Sequence, residues 1–242
     1  MGGIKVNLAA INRTIRVMCS EVGSFGSSVT DWQSLSEEEL LYEATVCVFG
    51  SQMLFEVAVA AADRVKEVGL LRIGRTIRRR QDYEARLVAV LSEPVSVEIN
   101  GIRRQILPRF RNRLAALMTS TIETIHGQGS SLRMILHSAK SAQHARELLV
   151  AVVSGFGPKQ TSLFLRRIGY CSELAVLDTH VLDYLRMACG IEPKPGTLSR
   201  LSSYENVENE FRRIADEFGY AVGCLDLAMW VTMRVAKREA VI

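Results

Sequence analysis

The chain has 242 residues, 48% of them hydrophobic and 23% charged, with 30 Lys+Arg against 26 Asp+Glu for a formal net charge of +4. That apolar fraction excludes disorder, and 17 Gly and 5 Pro exclude collagen-like and low-complexity classes. The length suffices for one large domain or two small ones, and the mild basicity permits a nucleic-acid partner without demanding one. In chain order, the residues up to about Ser28 carry a weak helical pattern ending in Gly23-Ser24-Phe25-Gly26-Ser27-Ser28, a flexible link. Ser36 with Glu39 three places on predicts a capped helix start. Apolar residues at helical spacing from Glu37 to Ala62 predict two consecutive helices broken near Gly50. Alternation at Val95, Val97 and Ile99, then Asn100-Gly101, then Ile102 to Leu107 predicts a small β-hairpin. Helices are predicted over 114–126, 141–153, 159–168, 178–187, 204–218 and 221–237. The expected class is mostly α.

Five cysteines, Cys19, Cys47, Cys171, Cys189 and Cys224, form no CxxC and have no histidine at zinc-finger spacing, so no metal centre is expected. An odd number without a signal peptide predicts reduced thiols and a cytoplasmic setting. The most apolar stretch, 46–62, is broken by Ser51, Gln52 and Glu56, which reads as a buried helix and not a membrane span.

The informative segment runs from Arg146 to Leu185. A helical pattern ends at Ser154-Gly155-Phe156-Gly157-Pro158-Lys159 and another begins at once. Two glycines let the chain reverse while Phe156 plugs the space behind, and Pro158 suits the first turn of a helix. Such a turn aims the N–H groups of Gly155, Gly157, Gln160 and Thr161 outward, which suits a phosphate; it is also a common structural cap. Twenty residues on stands Leu177-Asp178-Thr179-His180.

With Arg146-Glu147-Leu148-Leu149, the run Gly155 to Tyr170 and Leu174 to Val181, the chain resembles the helix-hairpin-helix DNA glycosylases, and within them the prokaryotic-type 8-oxoguanine DNA glycosylase/AP lyases. The resemblance implies two helical domains: 31–135 with the hairpin near 95–107, and 136–242 with the helix-hairpin-helix, the segment 1–30 packing on the second. It implies base excision repair on double-stranded DNA containing a damaged base, by a monomer needing no cofactor, metal, membrane or obligate protein partner. Lys159 is then the amine that forms a Schiff base with the sugar, and Asp178 the carboxylate that stabilises the positive charge developing there. A helix start disfavours the protonated amine, and Asp178 can also serve as a helix cap.

A flipped base needs a pocket, which the resemblance puts between the two helical domains. Candidate walls are Gln52, Phe110 and Trp230, although Trp230 can equally pack beside Leu225 and Leu227. The family carries an aromatic before the proline of Leu107-Pro108, where this chain has leucine; Phe110 is the available substitute. Ser154 likewise replaces a proline or basic residue, and the tail from Lys237 to Ile242 lacks a terminal lysine. His180 suits a phosphate, orientation of Asp178, or a structural role. Two arginine clusters stand out: Arg72, Arg75, Arg78, Arg79 and Arg80, and Arg103, Arg104, Arg109, Arg111 and Arg113. The second, beside the expected pocket, is the stronger candidate for DNA; Arg166-Arg167, just after the turn, can also lie near the DNA backbone or simply pack outward. A glycosylase for another modified base, or a non-catalytic helix-hairpin-helix DNA-binding protein, remains open at this point.

Overall fold

The computed structural model describes residues 7–24, 31–72, 80–194 and 196–239. In order come α1 (Leu8–Ser24), α2 (Glu37–Gly50), α3 (Phe55–Glu67), α4 (Arg80–Leu91), β1 (Val95–Ile99), β2 (Ile102–Ile106), α5 (Arg111–His126), α6 (Leu132–Ser138) and α7 (Ala142–Val152). They are followed by α8 (Pro158–Arg167), α9 (Thr179–Cys189), α10 (Leu201–Phe218) and α11 (Val222–Glu239). The described residues are mostly helical, with an antiparallel β1–β2 hairpin. Gly23 and Ser24 belong to the last turn of α1 and are not a link; 25–28 and the tail beyond Glu239 lie outside the described residues. No helix among the described residues is long and apolar enough to cross a membrane.

Two compact units divide the chain: Asp31–Phe156, and the residues before Asp31 together with those from Gly157 on. The division falls inside the turn after α7 and not at 135/136. Helices α6 and α7 stay with the first of these units because α6 packs on α2, and α7 on α5 and α6.

In the unit Asp31–Phe156, α2 is the central helix, with Leu40, Leu41, Ala44 and every residue from Thr45 to Phe49 buried. Its start is a capping box: Ser36 Oγ accepts from the Glu39 N–H at 3.3 Å, and Glu39 Oε2 accepts from the Ser36 N–H at 2.7 Å. Val95 and Val97 of β1 are buried and β1 packs on α3, while Asn100 and Gly101 take φ of 55° and 75°, the left-handed pair that a two-residue hairpin loop uses. Helix α4, not predicted from sequence, buries only Tyr83, Leu87 and Leu91, a stripe too narrow to dominate its polar surroundings. In the other unit Ile11 and Ile15 of α1 are buried in one core with residues of α9, α10 and α11, and α1 packs on α11. Arg16 fastens α1 further, donating to Phe218 O at 2.8 Å with its guanidinium 4.6 Å from the Phe218 ring.

Glu37 ties α2 to α6: Oε1 accepts from the Leu132 N–H at 2.7 Å and Oε2 from the Arg133 N–H at 3.2 Å. His126 Nε2 lies 3.3 Å from the same carboxylate. Burial holds the His126 imidazole below its usual range, against the opposing pull of Glu37. The unfolded chain therefore takes up this proton first on acidification, and native stability falls as pH drops below about 6.5 toward the folded value. Urea unfolding between those limits is expected to show a shallower pH dependence in His126→Gln than in wild type.

Candidate functional site

The turn after α7 is fastened from behind. The Ser154 N–H donates to Thr121 Oγ1 at 2.9 Å, and Ser154 Oγ lies 2.9 Å from Ser120 Oγ, both on α5. The atypical serine thus anchors the turn by hydrogen bonds. Gly155 has φ of 90°, and a Cβ there would stand 3.1 Å from Leu117 Cδ1 and 3.5 Å from Val48 Cγ1, so both backbone and packing require glycine. Phe156 is buried.

Gly157 differs. Its backbone is extended (φ −105°, ψ 179°), and a Cβ would meet nothing within 4 Å. Neither conformation nor internal packing demands a glycine here. Its consequence is at α8, which starts with Pro158 and no side-chain cap, whereas Ser36, Ser131, Ser141 and Asp178 cap α2, α6, α7 and α9. Lys159 and Gln160 follow in the first turn, both half-buried. Thr161 corrects the sequence reading: it is fully buried, and its N–H and hydroxyl both donate to Gly157 O, at 3.0 and 2.9 Å. It has nothing to offer a phosphate.

Asp178, in the same unit, caps α9. Its Oδ1 accepts from the N–H groups of His180 and Val181, both at 2.9 Å. Oδ2 takes no part in the cap. The irregular segment leading into Asp178 is gripped by Arg166 and by three side chains that carry no signal in the sequence, Tyr204, Glu208 and Asp226. Arg166 of α8 donates to Leu174 O at 3.0 Å and pairs through both terminal nitrogens with Asp226 of α11. Asp226 accepts from the Val176 N–H at 2.7 Å, and Glu208 of α10 from the Ala175 N–H at 2.8 Å. Tyr204 Oη donates to Ala175 O at 2.8 Å and accepts from the Leu177 N–H at 2.9 Å. Arg166 is thereby committed inside the fold and is not available near a DNA backbone. Burial pushes the Asp226 carboxyl up, and the Arg166 charge and its hydrogen bonds oppose that push.

Trp230 is half-buried on α11. Its ring meets His180 edge-on at 6.4 Å, and the Arg234 guanidinium lies 4.9 Å from its centroid. Leu225 is buried but Leu227 is 38% exposed, so the two do not form the core packing considered for Trp230. The Nδ1 of His180 is buried without a hydrogen-bond partner.

In the unit Asp31–Phe156, Gln52 follows the end of α2, with its N–H on Phe49 O at 3.0 Å and Nε2 on Ser51 Oγ at 3.2 Å. Phe110 precedes α5 in a left-handed conformation (φ 57°, ψ 28°), is 50% exposed, and has the Arg109 guanidinium 5.3 Å from its ring. A bulky side chain seldom adopts that backbone. The arginine clusters separate here. In the first, Arg72 pairs with Glu38 and Arg80 with Glu123, while Arg75, Arg78 and Arg79 lie outside the described residues. In the second, Arg103, Arg104, Arg109, Arg111 and Arg113 are all exposed and form no ion pair among the described residues. No cluster of His, Cys, Asp and Glu among the described residues is able to hold a metal ion.

A family model described as Ogg-HhH, 8-oxoguanine DNA glycosylase, matches residues 84–220. An 8-oxoguanine DNA glycosylase/AP lyase of Methanocaldococcus jannaschii is 37% identical over 100 residues, 41% of this chain and 47% of that protein. The chain thus spans about half the length of the curated relatives it matches. The crystal structure of the 8-oxoguanine DNA glycosylase of M. jannaschii shares the fold, with a TM-score of 0.68 at 24% identity over 95% of this chain and 96% of that one. The M. jannaschii 8-oxoguanine glycosylase/lyase in complex with a 15mer DNA containing 8-oxoguanine gives a TM-score of 0.60 at 25% identity over 92% of this chain and 88% of that one.

The two turn glycines are expected to behave oppositely in urea unfolding. Gly155→Ala destabilises by about 1–3 kcal/mol through the left-handed backbone and the contact with Leu117. Gly157→Ala changes stability by less than about 1 kcal/mol, because its backbone suits any residue.

Proposed function

The chain belongs to the Ogg-HhH family, the 8-oxoguanine DNA glycosylases, and we propose that it excises 8-oxoguanine from duplex DNA and then nicks the strand at the resulting site. The observation that carries this reading is the pairing, in one unit, of a lysine in the first turn of an uncapped helix with a carboxylate at the start of the next. Retaining both is unnecessary for a protein that only binds DNA.

Excision breaks the bond between the sugar C1′ and the base nitrogen, with the bonding electrons leaving on the base. The positive charge left on the sugar is stabilised by the carboxylate of Asp178, whose Oδ2 is outside the cap. The amine of Lys159 captures C1′, and opening of the sugar ring gives an imine between Nζ and C1′. Loss of a C2′ proton then expels the 3′ phosphate, which cuts the strand by β-elimination. Water releases the lysine.

The supporting binding surface is dispersed over particular residues. Gly157 leaves room for close approach to the α8 N-terminus, where Gln160 adds an N–H, and this suits a phosphate. His180 is a second phosphate candidate. The exposed arginines from Arg103 to Arg113 suit the DNA backbone, Arg109, Arg111 and Arg113 foremost. For the flipped base, the unit Asp31–Phe156 offers the Gln52 amide and the Phe110 ring as candidates, and the other unit separately offers the Trp230 ring. Phe110, exposed in its unusual backbone, fills the role that Leu107 does not. The proposed enzyme acts as a monomer in the cytoplasm, associated with the nucleoid in a prokaryotic cell.

Borohydride trapping on a duplex containing 8-oxoguanine is the decisive experiment. Wild type is expected to give a covalent adduct, and its absence would remove the lyase mechanism. Lys159→Gln is expected to give none while still binding the duplex. Asp178→Asn keeps a side chain able to cap α9, so it is expected to fold and to lose at least about a hundredfold in excision rate. For Arg109→Ala, the slope of log affinity against log salt is expected to become shallower by about 0.9, measured by fluorescence anisotropy.

A further inference from the structure

Between α8 and α9 the chain has no regular partner for its backbone, yet the stretch approaching Asp178 is largely buried. Buried backbone N–H and C=O groups must be bonded somewhere. Here they are bonded almost one by one to side chains. Leu174 O goes to Arg166, Ala175 N–H to Glu208, Ala175 O to Tyr204, Val176 N–H to Asp226 and Leu177 N–H to Tyr204. Val176 O accepts from the Asp178 N–H itself at 2.9 Å, and Gly223 N–H, in the first turn of α11, holds Ser172 O at 3.0 Å.

Tyr204 and Glu208 are fully buried and Asp226 is 1% exposed. Burying two carboxylates for packing alone is unfavourable, since apolar side chains fill such space at no desolvation cost. Their positions answer a different need. Asp178 is fixed at its N–H by Val176, at its C=O by Leu182 and at Oδ1 by the cap, so where Oδ2 points depends on where residues 174–177 are held.

We propose that Arg166, Tyr204, Glu208 and Asp226 are positioning residues that aim the Asp178 carboxylate by clamping the backbone of residues 174–177. The proposal rests on the reading of Asp178 as the carboxylate of base excision. Misplacing a reacting group by about 1 Å costs on the order of a hundredfold in rate. Loss of one clamp bond therefore slows excision without weakening the DNA contacts made elsewhere. The imine-forming amine of Lys159 lies outside the clamp, so attack on an already abasic sugar is spared.

The test uses two duplexes, one with 8-oxoguanine and one with a preformed abasic site, and the variant Tyr204→Phe, which removes one hydroxyl. Borohydride trapping on the abasic duplex counts competent molecules, and single-turnover excision is expressed per trapped molecule. This ratio is independent of how much protein is folded. Tyr204→Phe is expected to excise at least about tenfold more slowly per trapped molecule, with affinity for the lesion duplex within about twofold of wild type. An unchanged ratio, or excision that falls only in step with trapping, overturns the clamp. If Tyr204→Phe yields no folded protein, Arg166→Lys is judged by the same ratio, because an ammonium cannot hold both Asp226 oxygens and Leu174 O in one plane. A wild type that traps on the abasic duplex but never excises 8-oxoguanine overturns the substrate reading instead, and the two failures are thereby told apart.

Discussion

Arg166 and Asp226 lie sixty residues apart in sequence and share a paired hydrogen bond whose acid is almost wholly removed from water. Each has a second duty to a backbone that no helix or sheet supports: Arg166 holds Leu174 O and Asp226 holds the Val176 N–H. The pair thus joins α8, α11 and the approach to α9. Lys159 stands in the first turn of α8 and Arg166 in its last, about 10 Å along one rigid helix. A helix that short does not flex appreciably. The candidate amine thus stands at the end of α8 opposite the clamp that holds the approach to the candidate carboxylate.

Helix ends serve contrasting purposes in this unit. At α9, Asp178 satisfies two N–H groups with one oxygen and leaves the other outside the cap, so one side chain both starts a helix and presents a charge. At α8 the capping position is a glycine that its own surroundings do not require. An uncapped N-terminus is costly unless water or a ligand satisfies it. Under the proposed function that ligand is an anionic nucleic-acid backbone, which the positive end of the dipole favours.

Charge is deployed on the same local scale. The net +4 says little, because arginines are assigned individually. Arg16 and Arg166 are committed to the fold, Arg72 and Arg80 are matched by glutamates, and the series from Arg103 to Arg113 is left exposed on and after β2. A near-neutral protein can in this way present a basic strip that matters only where it lies.

Much of this was legible from local signals, because local physics produces it. Asn100-Gly101 specifies a two-residue hairpin, Ser36 with Glu39 a capping box, Asp178 a helix start, and Gly155 a left-handed turn, each through contacts within three or four residues. The family motif added the lysine and carboxylate at their spacing. Helix α4 leaves little trace in the sequence because three buried residues in twelve make a weak period, and Thr161 offers no phosphate contact because its hydroxyl turns back onto Gly157, which nothing local announces. Tyr204, Glu208 and Asp226 carry no local signature, since their bonds reach 27 to 50 residues back along the chain to a stretch without periodicity. Residue order settled which elements form and which groups stand at their ends. Chain packing settled which polar groups are spent internally and which remain for chemistry, because a buried donor or acceptor must find its partner wherever the fold brings one.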